Sequence, residues 1–297
     1  MAHQPLTDIR QTLAYSRYMQ SMGWQDEMIK TLHGQIHCYK KYLPFIPFPI
    51  IKILRAPAFL NFFERQTIIN RYHPIIFKQE PFHFEKNNCG QVYFSKEKSN
   101  TSPLVPTKTL WINLGMTKQT LLNNCHAKTR YNLKKAQQRV LQTQIISGDK
   151  ITENNLKSFY KLWSVNKPHN WLFKPSFYEL KNLVSSFGKD CFFVFIFSPC
   201  HPEFGSGSCP LLAAACLILT SPNMAFYWHN ASTLEGKKIF APTLCVWEAI
   251  MESKKRGLNV FDFEGIWDER FPKLNVGWQG FTRFKKGFVE NLEKSTS

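Results

Sequence analysis

The sequence predicts a mixed α/β protein, α+β in arrangement, built of two related units at residues 1–147 and 148–297. Three observations carry this. Short apolar runs of strand length alternate with amphipathic stretches of helical period. The order helix, neighbouring strands, then helix and strand occurs twice, which predicts mixed sheets flanked by helices. The length of 297 residues fits about two domains of ordinary size.

Composition narrows the class. Hydrophobic residues make up 43% and aromatic residues 15%, which excludes a disordered chain and supplies a large core. The formal net charge of +17 favours polyanionic partners such as nucleic acid, phosphorylated ligands or an anionic membrane surface. Eight cysteines without a CxxC pair fit a reducing compartment better than a disulfide framework. The N-terminal stretch MAHQPLTDIR holds no apolar signal core. The longest apolar runs, 192–197 and 211–219, are far short of a membrane span. The expectation is a cytoplasmic protein that touches a membrane surface without crossing it.

The elements follow in order. Residues 8–22 show helical spacing, with Gly23 as the stop. Residues 28–55 read as strands interrupted by Pro44, Pro47 and Pro49, the last strand being Ile50–Leu54. A helix over 58–72 stops at His73-Pro74, and Ile75–Phe77 opens the next strand. Residues 85–108 are polar and turn-rich, and predict a surface excursion. Leu110–Leu114 is a strand, and Thr117 caps one long helix to about 139. Leu141–Ile146 is a strand, followed by a turn at Ser147–Asp149. Thr152 caps a helix to 166, and Pro175 suits the first turn of another that ends before Gly188. Strands over 190–197, 211–219 and 224–229 follow, with a punctuated loop over 198–210. A helix then runs from Ala241-Pro242 to Gly257, and Val260–Phe263 is a short strand.

HAKTRYNLKKAQQ at 126–138 resembles the K-x-R-x-x-I/L-x-x-A helix of the FemABX family of peptidoglycan-bridge aminoacyltransferases. Other segments agree in order. Leu13–Trp24 resembles the family's opening helix ending in GW, LRAP at 54–57 its R-G-P turn, and FKQEP at 77–81 its I-x-x-E-P. Ala241–Gly257, Val260–Ile266 and Gly280–Phe288 resemble its later helix, its Y/F-D-F-x-G strand and its G-F-x-x-F-K-x-x-F-G tail. The chain departs at the tail, where Val289 and Glu290 replace a glycine pair, and in carrying no long heptad segment for a coiled-coil arm.

The resemblance implies two facing GNAT-like subdomains. It also implies transfer of an amino acid from aminoacyl-tRNA to an amine of a nucleotide- or lipid-linked muropeptide. The charged tRNA is then a co-substrate, and no bound cofactor is implied. In this setting Lys285, within RFKKGF, is the catalytic candidate: its ammonium would stabilise charge on the ester carbonyl and on the leaving ribose oxygen. The competing reading is a snorkelling lysine between Phe284 and Phe288. Asp262 is the second catalytic candidate, as a base for the incoming amine or as a structural partner of Arg283.

Arg130 and Lys134 share a helix face, widened by Lys128 and Lys135, and suit phosphate recognition or a solvated basic surface. Tyr227 and Trp228 would stack on a base or sugar, or pack in the core. Arg55 in LRAP and Glu80 in FKQEP complete the substrate-binding set, Glu80 as an amine ligand or a turn cap. His33, His37 and Cys38 lack a third ligand at motif spacing, so no metal site is expected. No GxSxG, Walker A or Rossmann pattern occurs, and GSGS at 205–208 is a flexible loop. Two other classes stay open. One is a CoA-dependent N-acyltransferase, disfavoured because the Ser232–Leu244 loop holds one glycine and a proline where backbone N–H groups would cradle pyrophosphate. The other is a non-catalytic RNA-binding module, for which the basic field would suffice but no RRM, KH or OB signature appears.

Overall fold

The computed structural model describes residues 5–32, 34–57, 60–88, 90–94, 103–165, 176–199, 210–273 and 276–289. It is a mixed α/β fold with two sheets flanked by helices, as the sequence predicts.

The first sheet has four strands in sequential order: β1 (Gln25–Thr31), β2 (Gly34–Lys41), β3 (Ile50–Ala56) and β4 (Ile76–Pro81). β3 and β4 are parallel, which requires the crossover helix α2 (Phe62–Tyr72). A capping box starts α2: Asn61 takes the Glu64 N–H and Glu64 takes the Asn61 N–H. Ile36, Cys38, Ile51, Ile53, Leu60 and Ile68 pack between this sheet and α2. A helix α1 (Leu13–Ser21), capped by Thr12, precedes the sheet.

The second sheet has eight strands. They are β5 (Phe84–Lys86), β6 (Gln91–Phe94), β7 (Lys108–Asn113), β8 (Gln142–Ser147), β9 (Cys191–Ser198), β10 (Leu211–Thr220), β11 (Met224–Ser232) and β12 (Val260–Asp262). Their order is β5-β6-β7-β12-β11-β10-β9-β8. The short β12 therefore sits in the middle, antiparallel to β7 and parallel to β11. Position 147/148, the division expected between units, falls at the end of β8, and strands from both sides of it build this sheet.

Helices cover both faces of the larger sheet, and its central strands are apolar on both faces for that reason. In β10, Ala214, Cys216 and Ile218 face α8 (Ala241–Lys255), while Ala215, Leu217 and Leu219 face the core shared with α5 (Glu153–Val165) and α6 (Phe177–Phe187). The remaining helices are α3 (Lys118–Asn124), α4 (Ala127–Gln137), the short α7 (Leu234–Lys238) and α9 (Gln279–Lys286). No helix among the described residues is long and apolar enough to cross a membrane.

Two sequence expectations are corrected. The stretch at 85–108 is not a plain surface excursion, because β5, β6 and the start of β7 pair there with buried Val92, Phe94 and Leu110. The long helix to 139 is two helices, broken at Cys125 and His126, which are both extended. The break is made by tertiary contact: the His126 N–H donates to the Gly287 carbonyl at 2.9 Å, in the turn after α9. Arg130 reaches back and donates to the Asn123 carbonyl at 3.1 Å and to the Cys125 carbonyl, covering the open end of α3. Ser176 caps α6, while Pro175 lies outside the described residues.

Candidate active site

The site grows from the end of β12. Phe261 and Phe263 alternate into the core under α8, so Asp262 faces the opposite side. Its cross-strand partner is Trp111, and Thr109 lies two residues away on the same face of β7. Both reach the carboxylate: the Thr109 hydroxyl donates at 2.5 Å and the Trp111 indole N–H at 2.8 Å. The Glu264 backbone N–H adds a third bond at 2.7 Å. Burial, reinforced by the Glu264 charge, pushes the Asp262 carboxyl up to about 7.

After Asp262 the chain turns through two left-handed residues, Glu264 at φ 51° and Gly265 at φ 89°. Glutamate is strained there; glycine is not. At Gly265 a Cβ would stand 2.7 Å from the Trp278 ring and 2.9 Å from Pro106, so a side chain has no room. The turn presents consecutive carbonyls to α9. The Lys285 ammonium donates to Phe263 and Gly265 at 2.7 Å each, and to Glu264 at 3.5 Å. The Lys285 side chain is buried, and desolvation lowers its ammonium to about 8. Its Nζ also lies 5.9 Å from the centre of the Tyr227 ring.

The Glu264 carboxylate faces Arg10. One Arg10 nitrogen donates to both Glu264 oxygens at 2.9 and 3.1 Å, and the other to both Asp8 oxygens at 3.1 and 3.2 Å. Asp8 also takes the Arg10 backbone N–H, so it caps the 3-10 turn Ile9–Gln11 that carries Arg10. Arg55 packs alongside, its guanidinium 3.4 Å from the Phe94 ring centre and hydrogen-bonded to the Pro106 carbonyl. Burial lowers the Arg55 guanidinium to about 10, and its Nε has no partner. Three cations, Arg10, Arg55 and Lys285, thus meet three acids, Asp8, Asp262 and Glu264, where the two sheets join. Such a cluster requires near-complete pairing to persist without water.

Beside it opens a cavity of about 380 Å³ between the sheets, lined by Arg10, Lys52, Tyr15, Tyr18, Trp24 and Trp228 with apolar neighbours such as Leu54 and Val105. Arg10 lies 5.2 Å from the Trp228 ring centre and Lys52 4.3 Å from that of Trp24. Burial and the nearby Lys41 charge lower the Lys52 ammonium. Two cations set among aromatic rings suit an anionic ligand that also carries apolar or ring surface.

The expected residues divide. Lys285, Asp262, Arg55 and Trp228 converge on the cluster or its cavity. Tyr227 is core, buried against Phe261 and Phe263, and presents no face for stacking. Glu80 is a loop cap: its carboxylate takes the backbone N–H groups of Leu104 and Val105 and is not free for an amine. Arg283 is exposed and does not pair with Asp262, whose partners are Thr109 and Trp111. Arg130 and Lys134 lie on the exposed side of α4, Arg130 with one guanidinium nitrogen committed to carbonyls. That helix still touches the site's supports, because Thr129 packs on Gly287 beside α9.

Sequence reading missed Asp8, Arg10, Glu264, Thr109 and Lys52. The one signal was Glu264-Gly265 directly after a strand, a pair marking a sharp turn with a charge at its tip. His37, set aside as a ligand, is held by Asp26 at 2.7 Å. Among the described residues no group of three or more His, Cys, Asp or Glu side chains could hold a metal ion. The Ser232–Leu244 loop contains α7, whose Gly236 sits so close to β10 that a Cβ would stand 2.1 Å from the Ala213 carbonyl.

Residues 205–295 match the family model described as the FemAB family. The fold matches the crystal structure of FemX with a TM-score of 0.76 at 13% identity, over 96% of this chain and 90% of that one. The C-terminal domain (DUF2156) of a putative lysylphosphatidylglycerol synthetase from Agrobacterium fabrum matches with a TM-score of 0.53 at 11% identity, over 95% and 88%. L-PGS from Bacillus licheniformis matches at 0.50 and 10% identity, over 91% and 82%. No curated protein matches by sequence. The family match spans β12 and α9, two elements that build the buried cluster, and the fold along the whole chain is similar to that of FemX.

Proposed function

We propose that the protein is an aminoacyltransferase that moves an amino acid from aminoacyl-tRNA to an amine of a peptidoglycan precursor peptide, nucleotide- or lipid-linked. The FemAB-family match over residues 205–295 and the fold similarity to FemX support the transferase class. The observation that carries the reading is the Arg10–Lys52 cavity, which Arg10 links through Glu264 to the turn that Lys285 braces. Its two cations and aromatic walls suit a phosphate-bearing sugar or a charged 3′ end.

In the reaction the acceptor amine adds to the ester carbonyl, and the carbon–oxygen bond to the ribose breaks. The amine proton ends on the ribose oxygen, giving an amide and free tRNA. Lys285 supplies positive charge for the developing oxyanion. Of its three contacts, the 3.5 Å one to Glu264 is the weakest and the one a substrate oxygen would replace. Asp262, saturated by three donors, orients the β12 turn in this scheme and takes no proton; the amine proton passes to the leaving ribose oxygen by way of solvent. The exposed basic face of α4, with Arg130 and Lys134, suits contact with a tRNA backbone. The close packing of Gly236 in the Ser232–Leu244 loop supports this reading over a CoA-dependent one.

The test supplies charged tRNA, acyl-CoA and muropeptide acceptor in separate combinations. Muropeptide mass gain that requires charged tRNA is the expected result. Gain with acyl-CoA alone would sink the reading, and tRNA binding without product would leave an RNA-binding module.

A further inference from the structure

One end of the four-stranded sheet is apolar and uncovered. The loop between β2 and β3 reads YLPFIPFP over 42–49, with a proline at every second or third position. Tyr42, Phe45, Ile46 and Phe48 are exposed there, and Phe45 is fully so at 104%. Ile75 and Ile76 extend the patch, because the Ile75 N–H donates to the Pro49 carbonyl at 3.0 Å and Ile76 pairs with Ile50. Phe48 meets the His73 ring edge-on at the end of α2. Phe45 also sits at φ 63°, a conformation an aromatic residue adopts at a cost. A bulky ring held left-handed and bare in water stabilises nothing within the chain.

The charge around the patch decides the partner. From the start of β1 to the end of β4, residues 25–81, the sequence holds eight lysines and arginines and four acids, Asp26, Glu27, Glu64 and Glu80. Lys41 adjoins the loop, and Arg71, exposed in the last turn of α2 and paired with Glu27 at 3.1 Å, lies two residues from His73. A second copy would bring the same positive field and be repelled. The patch is also a protruding knob rather than a groove. Aromatic and branched side chains on a proline-stiffened tip, ringed by cations, match the interface of an anionic bilayer, where rings sit at headgroup depth and cations meet phosphate.

We propose that loop 42–49, with Ile75 and Ile76, is a membrane-surface anchor that inserts Phe45 into an anionic lipid leaflet. Prolines fix the loop in advance, so little ordering entropy is lost on insertion. The inference stands apart from the transferase reading, because lipid binding requires neither tRNA nor muropeptide.

Flotation with vesicles of equal phosphatidylglycerol and phosphatidylcholine tests it, against phosphatidylcholine alone and at low and high salt. The full chain is expected to float with the anionic vesicles at low salt and to be released by high salt. Phe45→Asp, which suits the left-handed backbone and disturbs no packing, is expected to weaken binding about tenfold or more. A Phe45→Trp variant is expected to blue-shift its emission when the anionic vesicles are added. Failure of the wild type to float, flotation unchanged by Phe45→Asp, or self-association that Phe45→Asp abolishes while vesicle binding is unaltered would each overturn the proposal.

Discussion

Arg10 and Glu264 lie 254 positions apart and form a two-oxygen ion pair at 2.9 and 3.1 Å, with 5% and 11% of their side chains exposed. The pair ties the N-terminal segment to the turn that Lys285 braces. It also holds a glutamate in a left-handed conformation that glutamate resists. Two substitutions separate these effects. Glu264→Gln keeps the shape and removes the charge, and should lower stability by about 2–4 kcal/mol. Glu264→Gly adds relief of backbone strain, so its loss should be smaller by up to about 1 kcal/mol. Urea unfolding of both variants measures the difference; equal losses would mean that the turn is unstrained.

Lys285→Met should cost about 3 kcal/mol, because it leaves the carbonyls of Phe263 and Gly265 buried without a donor. Its loss of transfer therefore has to be measured on folded protein, below the denaturation midpoint. The site role predicts that transfer falls at least about a hundredfold in the folded fraction. Unchanged turnover there would reduce Lys285 to a brace for β12.

The buried pair predicts opposite pH slopes. Asp262 titrates near 7 in the fold against an ordinary value of 3.8, so the folded state holds the extra proton between those values. Its contribution is full below about pH 4 and is lost as pH rises through 7, by roughly 3–4 kcal/mol at most. Lys285 titrates near 8 against 10.5, so the folded state holds fewer protons in that window. Its contribution is full above about pH 10.5 and is lost as pH falls through 8. Comparing unfolding free energies of the wild type with Asp262→Asn from about pH 4 to 7, and with Lys285→Met from about pH 8 to 10, isolates each slope.

Gly287→Ala tests the joint between α4 and α9. The added Cβ would stand 2.4 Å from the Thr129 hydroxyl, and a loss of about 1–3 kcal/mol is expected. Thr129→Ala removes that oxygen, leaving the next Thr129 contact at 3.7 Å. A coupling of at least about 0.5 kcal/mol in the double-mutant cycle would confirm the contact. Additive losses would show that α4 shifts to accommodate the methyl group.

Lys52→Met tests the cavity. Burial and Lys41 already disfavour the Lys52 charge, so stability should hold or rise. If the cavity binds an anionic substrate group, the KM for that substrate should rise about tenfold with kcat little changed. A fall in kcat alone would place the anion elsewhere.

The elements that carry strong periodicity were legible in the chain. β10 reads as a continuous apolar run and α8 as a proline-opened helix, and both stand where the pattern puts them. β5 and β6 were hidden because they are only three and four residues long, lie at the sheet edge, and bury no residue in β5 and alternate residues in β6. The break at Cys125–His126 contains no proline or glycine; the carbonyl of Gly287 makes it, from 161 residues away. The site shows the same division. Lys285 and Asp262 stand in recognisable motifs, whereas Arg10 is one charge in an undistinguished N-terminal segment, and its meaning lies in partners that include the distant Glu264. Glu80 and Tyr227 each stayed open between two roles, because residue type alone does not reveal that two loop N–H groups or two phenyl rings already occupy them.

The seat of β12 between β7 and β11 has a consequence for synthesis. A strand of three residues flanked on both sides closes the larger sheet only after it emerges, late in translation. At about 5–20 residues per second, Arg10 waits on the order of tens of seconds for Glu264 to leave the ribosome. During that interval β7 and β11 are open edges, able to pair with other nascent chains. The stretch matching the family model holds β10, β11 and β12 together; cut off from the chain before it, it lacks β7 beside β12 and β9 beside β10.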